Sequence, residues 1–213
     1  MKTFYFVRHG ESEGNVSDIH HDPLGKLTER GRQQAQFLGK RFQTIPIDII
    51  LASHYERAQE TAEIIAKSVN KLIETIELLG EKRMPSIMKG KHVDHPDRLR
   101  LPFIDSRHFN ENYQHTDEET YTEIKKRAVE LLSYLTTRKE GSLLLVTHSW
   151  FLRIVMGVML HGENLTGEEA HRLWKFLSTR NTGITKCEYD KNNINQGWRL
   201  ITWMDHAHLG NID

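Results

Sequence analysis

The 213-residue chain balances 29 Lys and Arg against 29 Asp and Glu, and carries 13 His and one Cys. A net charge of zero gives no general attraction to nucleic acid or an anionic membrane, and the lone Cys187 excludes an intrachain disulfide framework. At 38% hydrophobic and 27% charged, the composition excludes a disordered tail or a fibrous repeat.

Residues 4–7 are a short apolar and aromatic run that ends in the polar stretch Arg8-His9-Gly10-Glu11, the pattern of a buried strand opening into a functional loop. Thr28 reads as the N-cap of a helix over Glu29–Phe42, in which Ala35, Leu38 and Phe42 recur at helical spacing. Residues 48–52 form a second strand candidate. The segment Glu56–Val69 carries Ala58, Ala62, Ile65, Ala66 and Val69 on one helical face. A third apolar run over 72–79 has acidic residues interleaved.

The character then changes. Residues 80–115 hold three of the five prolines and no sustained period, so they read as an irregular insertion. The insertion is locally basic, with Lys82, Arg83, Lys89, Lys91, Arg98, Arg100 and Arg107 outnumbering Glu81, Asp94, Asp97, Asp105 and Glu111. Helical spacing returns over 117–138 through Tyr121, Ile124, Ala128, Leu131, Leu132 and Leu135. A fourth strand candidate follows over 143–146, then an apolar helix over 151–160, a further helix over 167–177, and strand-like segments over 184–189 and 198–204.

Strands that alternate with helices predict an α/β fold with a mostly parallel sheet covered on both faces. With no repeat, low-complexity tract or linker, one domain spanning 1–213 is expected. The longest apolar run, residues 154–160, is far short of the roughly 20 residues that span a bilayer. The N-terminus lacks the apolar stretch and small-residue cleavage site of a signal peptide. The expectation is therefore a cytoplasmic protein with no membrane partner, in which the sequons at Asn15 and Asn164 are chance matches.

In open α/β sheets ligands bind beyond the carboxyl ends of the strands. Three strands end in polar clusters: Arg8-His9-Gly10-Glu11, Ser53-His54 ahead of Arg57, and Thr147-His148-Ser149. Gathered on one sheet edge, these supply two guanidiniums, two imidazoles and small polar groups that include Ser12, Asn15 and Ser53. Arginine offers a planar fork to phosphate oxygens, and a neutral imidazole serves as a nucleophile or a base. The set suits a phosphoryl dianion whose transition state spreads charge over its equatorial oxygens. The competing reading, in which the arginines pair with surface carboxylates and the histidines fill gaps, suits any one residue better than the set.

Other phosphate and metal motifs are missing. The sequence contains no G-x-x-x-x-G-K-[ST], no G-x-G-x-x-G and no H-E-x-x-H. His20-His21, His92 with His95, and His206 with His208 lack Cys partners and metal-ligand spacing, so no metal is expected.

Four segments resemble the histidine phosphatase superfamily, in its phosphoglycerate-mutase-like branch 1. They are Phe6-Val7-Arg8-His9-Gly10-Glu11-Ser12-x-x-Asn15, Leu27-Thr28-x-x-Gly31-x-x-Gln34-Ala35, Ser53-x-x-x-Arg57-Ala58-x-x-Thr61-Ala62 and Val146-Thr147-His148. They fall in family order across residues 6–148, and Asn181-Thr182-Gly183-Ile184 adds a weaker likeness. The resemblance implies a three-layer α/β/α sandwich and a phosphatase that works through a phosphohistidine, with no cofactor. It makes His9 the nucleophile and has Arg8, Arg57 and His148 hold the transferring oxygens, with Asn15 as a further polar contact. Gly10 is expected to leave room for backbone at the site.

The family commonly takes its proton donor from a Glu after the third strand. Leu79-Gly80-Glu81 resembles that position, so Glu81 is the expected general acid and later base, with Glu77 as rival. Two departures stand out. Lys82-Arg83-Met84-Pro85-Ser86 replaces the family's glycine- and tryptophan-containing continuation, and Ser149 stands where many members have glycine, narrowing the pocket or adding a hydrogen bond.

The expected substrate is a small phosphorylated metabolite. Arg83, Lys89, Lys91, Arg98 and Arg100 are candidates for recognising a second anionic group. Two alternatives remain. One is a cofactor-dependent phosphoglycerate mutase, expected to carry a recognisable segment after the acid and a longer chain. The other is a non-catalytic phospholigand-binding module, which would have no need of the nucleophile.

Overall fold

In the computed structural model, residues 1–17, 19, 23–92, 95–96, 109–110, 116–192 and 197–210 are described. Six strands form one sheet: β1 (Lys2–Arg8), β2 (Ile49–Ala52), β3 (Ile73–Thr75), β4 (Ser142–Thr147), β5 (Ile184–Tyr189) and β6 (Trp198–Asp205), in the order β3-β2-β4-β1-β5-β6. β3, β2, β4 and β1 run parallel, and β5 and β6 close the β1 edge antiparallel. Helices carry the parallel crossovers, whereas only residues 190–197 separate β5 from β6, too few for a parallel crossover, and these two strands pair antiparallel.

Successive strand side chains point to opposite faces, and both faces are apolar. Phe4, Phe6, Leu51, Leu143 and Leu145 pack against α4 (Tyr121–Thr137) and α5 (Ser149–His161), with Ala170 of α6 (Gly167–Phe176) completing that core. Val7, Ile50, Ala52, Leu144 and Val146 pack against α2 (Glu29–Phe42) and α3 (Glu56–Val69). The result is the expected three-layer α/β/α sandwich. A single-turn α1 (Glu13–Val16) follows β1.

The boundaries predicted for α2, α3 and β5 coincide with those observed. The run over 72–79 does not stay extended. β3 stops at Thr75, and a 3₁₀ turn over Glu77–Leu79 brings Leu79 into the core, where its carbonyl accepts the Thr147 hydroxyl at 2.8 Å. The helix expected over 117–138 starts only at Tyr121, because Thr120 and Glu123 form a reciprocal capping box there. Within 80–115, a 3₁₀ turn over Ser86–Met88 buries Met88. Arg98, Arg100 and Arg107 lie outside the described residues.

Candidate active site

Strand register brings the strand-end residues of the site together. Arg8 pairs with Thr147 across β1 and β4, and Ala52 pairs with Val146 across β2 and β4, so His9, Ser53 and His148 are adjacent strand-end residues. Arg57 comes from the first turn of α3 and Ser149 begins α5. A cavity of about 290 Å³ opens at this edge, lined by Arg8, His9, Asn15, Arg57, Glu81 and Ser149 among others. His148 stands at the same edge, wholly buried beside His9, with ring centroids 5.1 Å apart.

Hydrogen bonding dictates the state of His9. Its Nδ1 lies 2.7 Å from the Gly10 carbonyl, which can only accept, so Nδ1 carries the proton. Its Nε2 lies 3.1 Å from Arg57 Nε, which can only donate, so Nε2 presents a lone pair. Burial, then the charges of Arg57 and Arg8, hold the ring's pKa well below its usual range, against the opposing pull of the Gly10 hydrogen bond. The imidazole is therefore neutral at physiological pH, with its lone-pair nitrogen on the arginine side.

His148 is held neutral by burial first, then by Arg57, His9, Arg8 and Arg127. Burial also brings Arg8 down to about 10, and Glu81 opposes that shift while Arg153 and Arg57 add to it; the guanidinium stays charged at neutral pH. Arg8 Nε is buried without a hydrogen-bond partner, whereas its Nη1 reaches the Thr179 carbonyl at 3.5 Å.

Glu81 sits at the start of α5. Its Oε1 accepts the backbone N–H of Lys82 and of Phe151, both at 2.9 Å, and its Oε2 accepts Trp150 N–H at 3.1 Å. The carboxylate is thus clamped by a helix N-terminus, with one Oε2 lone pair left over for a proton. The rival Glu77 does not line the cavity; it begins the 3₁₀ turn near His54. Asn15 Oδ1 accepts from Ser12 N and Ser12 Oγ at 3.1 Å and from Asn181 Nδ2 at 3.3 Å, which leaves the Asn15 amide N–H groups as donors at the cavity wall. The Ser149 hydroxyl lies 2.7 Å from Thr179 Oγ1 and takes a hydrogen bond from Arg153 at 2.6 Å, so it is tied to the wall.

One correction follows. Of the cations expected to read a second anionic group, Arg83, Lys89 and Lys91 do not line the cavity, and Arg83 donates to the Asp117 carbonyl instead. Among the described residues of that segment, the lining cation is Lys82, 2% exposed and 5.5 Å from the Trp150 ring. Burial lowers its pKa, opposed by Glu119, Glu118 and Glu81. Gly10 leaves room for backbone, and that backbone belongs to Gly31. A Cβ on Gly10 would lie 2.5 Å from the Gly31 carbonyl oxygen, and one on Gly31 would lie 2.0 Å from that of Glu11. The two glycines let the His9 loop touch the start of α2.

The same loop is pinned by other residues of the recognised segments. Gly10 N–H donates to Thr61 Oγ1 at 3.1 Å, Glu11 N–H to Gln34 Oε1 at 2.9 Å, and Thr28 Oγ1 to Glu11 Oε1 at 2.7 Å. Sequence reading missed Asn181 as a brace: its amide bonds the His9 carbonyl at 3.0 Å as well as Asn15. Its place in Asn181-Thr182-Gly183 was the available signal. Arg153 had none, since on sequence it is one cation in an apolar helix. Among the described residues, no group of three or more His, Cys, Asp or Glu is placed to hold a metal ion; His20 and His21 lie outside them.

The sequence model of the histidine phosphatase superfamily (branch 1) matches residues 4–206. The chain belongs to that superfamily. A 2,3-bisphosphoglycerate-dependent phosphoglycerate mutase of Thermoplasma acidophilum is 32% identical over 198 residues, covering 91% of this chain and 90% of the relative. Among solved structures, Bacillus stearothermophilus YhfR superposes with a TM-score of 0.81 at 28% identity, covering 98% of this chain and all of that one. Entamoeba histolytica phosphoserine phosphatase, solved with 3-phosphoglyceric acid, superposes with a TM-score of 0.76 at 21% identity, covering 98% and 100%. This last likeness is one of fold.

Proposed function

We propose that the protein is a metal-independent phosphomonoester hydrolase that works through a phosphohistidine on His9. The observation that carries the reading is the enforced His9 tautomer, with Nδ1–H on the Gly10 carbonyl and the Nε2 lone pair at Arg57. An arriving phosphoryl dianion competes for the Arg57 guanidinium and frees that lone pair. Nε2 attacks phosphorus in line, the P–O bond to the leaving group breaks, and Glu81 gives its Oε2 proton to the departing alkoxide. Arg8, Arg57, His148 and the Asn15 amide hold the equatorial oxygens. Water then attacks the phosphohistidine, Glu81 takes its proton, and orthophosphate leaves with His9 restored.

A cavity of about 290 Å³ supports a small metabolite as substrate, being at the lower limit of ligand pockets. Lys82 is the lining cation placed to meet a second anionic group on it. A specific observation favours mutase action as the second reading: the Thermoplasma mutase matches this chain over 90% of its own length. Chain length, expected to separate mutases from hydrolases, therefore does not. Hydrolysis is preferred because residues 82–115 resemble the mutase segment poorly.

The test is hydrolysis of p-nitrophenyl phosphate with EDTA present, with acid-labile radiolabel trapped on the protein. Turnover and label that both vanish in His9→Ala are expected. Phosphate binding without turnover would convert the reading to a binding module. Rapid formation of 2-phosphoglycerate from 3-phosphoglycerate with catalytic 2,3-bisphosphoglycerate would convert it to a mutase.

A further inference from the structure

Ser53, the first residue after β2, is fully buried and its hydroxyl has two neighbours. The backbone N–H of Tyr55 donates to Ser53 Oγ at 3.2 Å, and Nε2 of His148 lies 2.8 Å from the same oxygen. An amide N–H only donates, so Tyr55 occupies a lone pair and cannot receive the hydroxyl proton. If His148 also donated, the oxygen would accept twice and its proton would be buried without an acceptor, a costly arrangement. The hydroxyl therefore donates to Nε2.

We infer that Ser53 is a positioning residue that locks His148 as the Nδ1–H tautomer and so makes it a neutral hydrogen-bond donor to the transferring phosphoryl group. A second, independent observation supports this: His148 Nδ1 is buried and has no partner in the protein, while its ring stands 5.1 Å from that of His9. With the opposite tautomer, Nδ1 would turn a lone pair toward phosphoryl oxygens and repel them. Burial first, then Arg57, His9, Arg8 and Arg127, keeps this ring neutral. The open question is which nitrogen holds the single proton, and Ser53 answers it. The inference rests on the phosphohistidine reading for its catalytic consequence, but the tautomer itself does not.

The test is two-bond ¹H–¹⁵N correlation on protein labelled in histidine, with the His148 signals assigned by their loss in His148→Gln. The wild type should show His148 as the Nδ1–H form. Ser53→Ala should lose that preference and lower kcat by about tenfold to a hundredfold, the scale of losing an orienting partner, with KM little changed. Ser53→Thr should restore both. An Nε2–H or doubly protonated His148 in the wild type overturns the inference without any variant, as does an unaltered tautomer in Ser53→Ala. An Nδ1–H His148 in a protein that traps no phosphohistidine would leave the Ser53 assignment standing and remove the proposed function.

Discussion

Arg57→Ala is the most informative perturbation, because it touches rate and protonation together. The guanidinium is nine-tenths buried, its Nε is 3.1 Å from Nε2 of His9, and after burial it is the largest influence lowering the pKa of both His9 and His148. Loss of one preorganised charge-stabilising donor costs about 10²–10³ in kcat, or about 2.7–4 kcal/mol of transition-state stabilisation. The pH effect has a definite sign. Without the Arg57 charge both imidazoles rise toward 6.5, so they protonate at higher pH, and the acid limb of kcat/KM moves up. Activity at pH 5.5 should therefore fall by a larger factor than activity at pH 8. Arg57→Lys, which keeps the charge and loses the fork, should hold the acid limb in place while kcat still drops. The assay is steady-state p-nitrophenyl phosphate hydrolysis with EDTA from pH 4.5 to 8.5. Near-wild-type kcat/KM in Arg57→Ala would remove the residue from the site. A large loss with a stationary acid limb would show that its charge does not set the imidazole titrations.

Glu81→Gln should slow alkyl phosphates more than p-nitrophenyl phosphate, whose leaving group needs little protonation; equal losses would point to water as the proton donor. Gly31→Ala should destabilise the fold by about 1–3 kcal/mol in urea melts and reduce turnover, because a Cβ there meets the Glu11 carbonyl oxygen at 2.0 Å and displaces the His9 loop; an unshifted midpoint would refute that contact. Stability should fall as pH drops below 6.5. The folded chain keeps His9 and His148 neutral while the unfolded chain protonates them, so the unfolded state binds more protons from 6.5 down to the folded pKa values. His148→Asn should flatten that slope between pH 7 and 5 in urea titrations, and an unchanged slope would count against the buried neutral imidazole.

The alternation of apolar strands with amphipathic helices was enough to predict the layered α/β architecture, and the polar residues at three strand ends were enough to predict a phosphoryl site. Both are local signals: periodicity follows from side-chain direction along an element, and a polar cluster beside a buried strand is visible as composition. Glu81 was reached only through its likeness to a family position, and Lys82 was not singled out at all. Each is one charge in an irregular basic stretch, and only packing turns Glu81 onto the start of α5 and Lys82 into the cavity wall. Gly10 and Gly31 stand 21 positions apart, and their mutual contact exists only once α2 docks on the His9 loop. The same holds for protonation. His9 and His148 are identical imidazoles on paper, and their neutral states and proton positions come from burial, from the Arg57 and Arg8 charges, and from hydrogen bonds to Gly10 and Ser53. Which residues were available was written in the chain; what each can do was decided by low dielectric and by partners that only the folded sheet brings together.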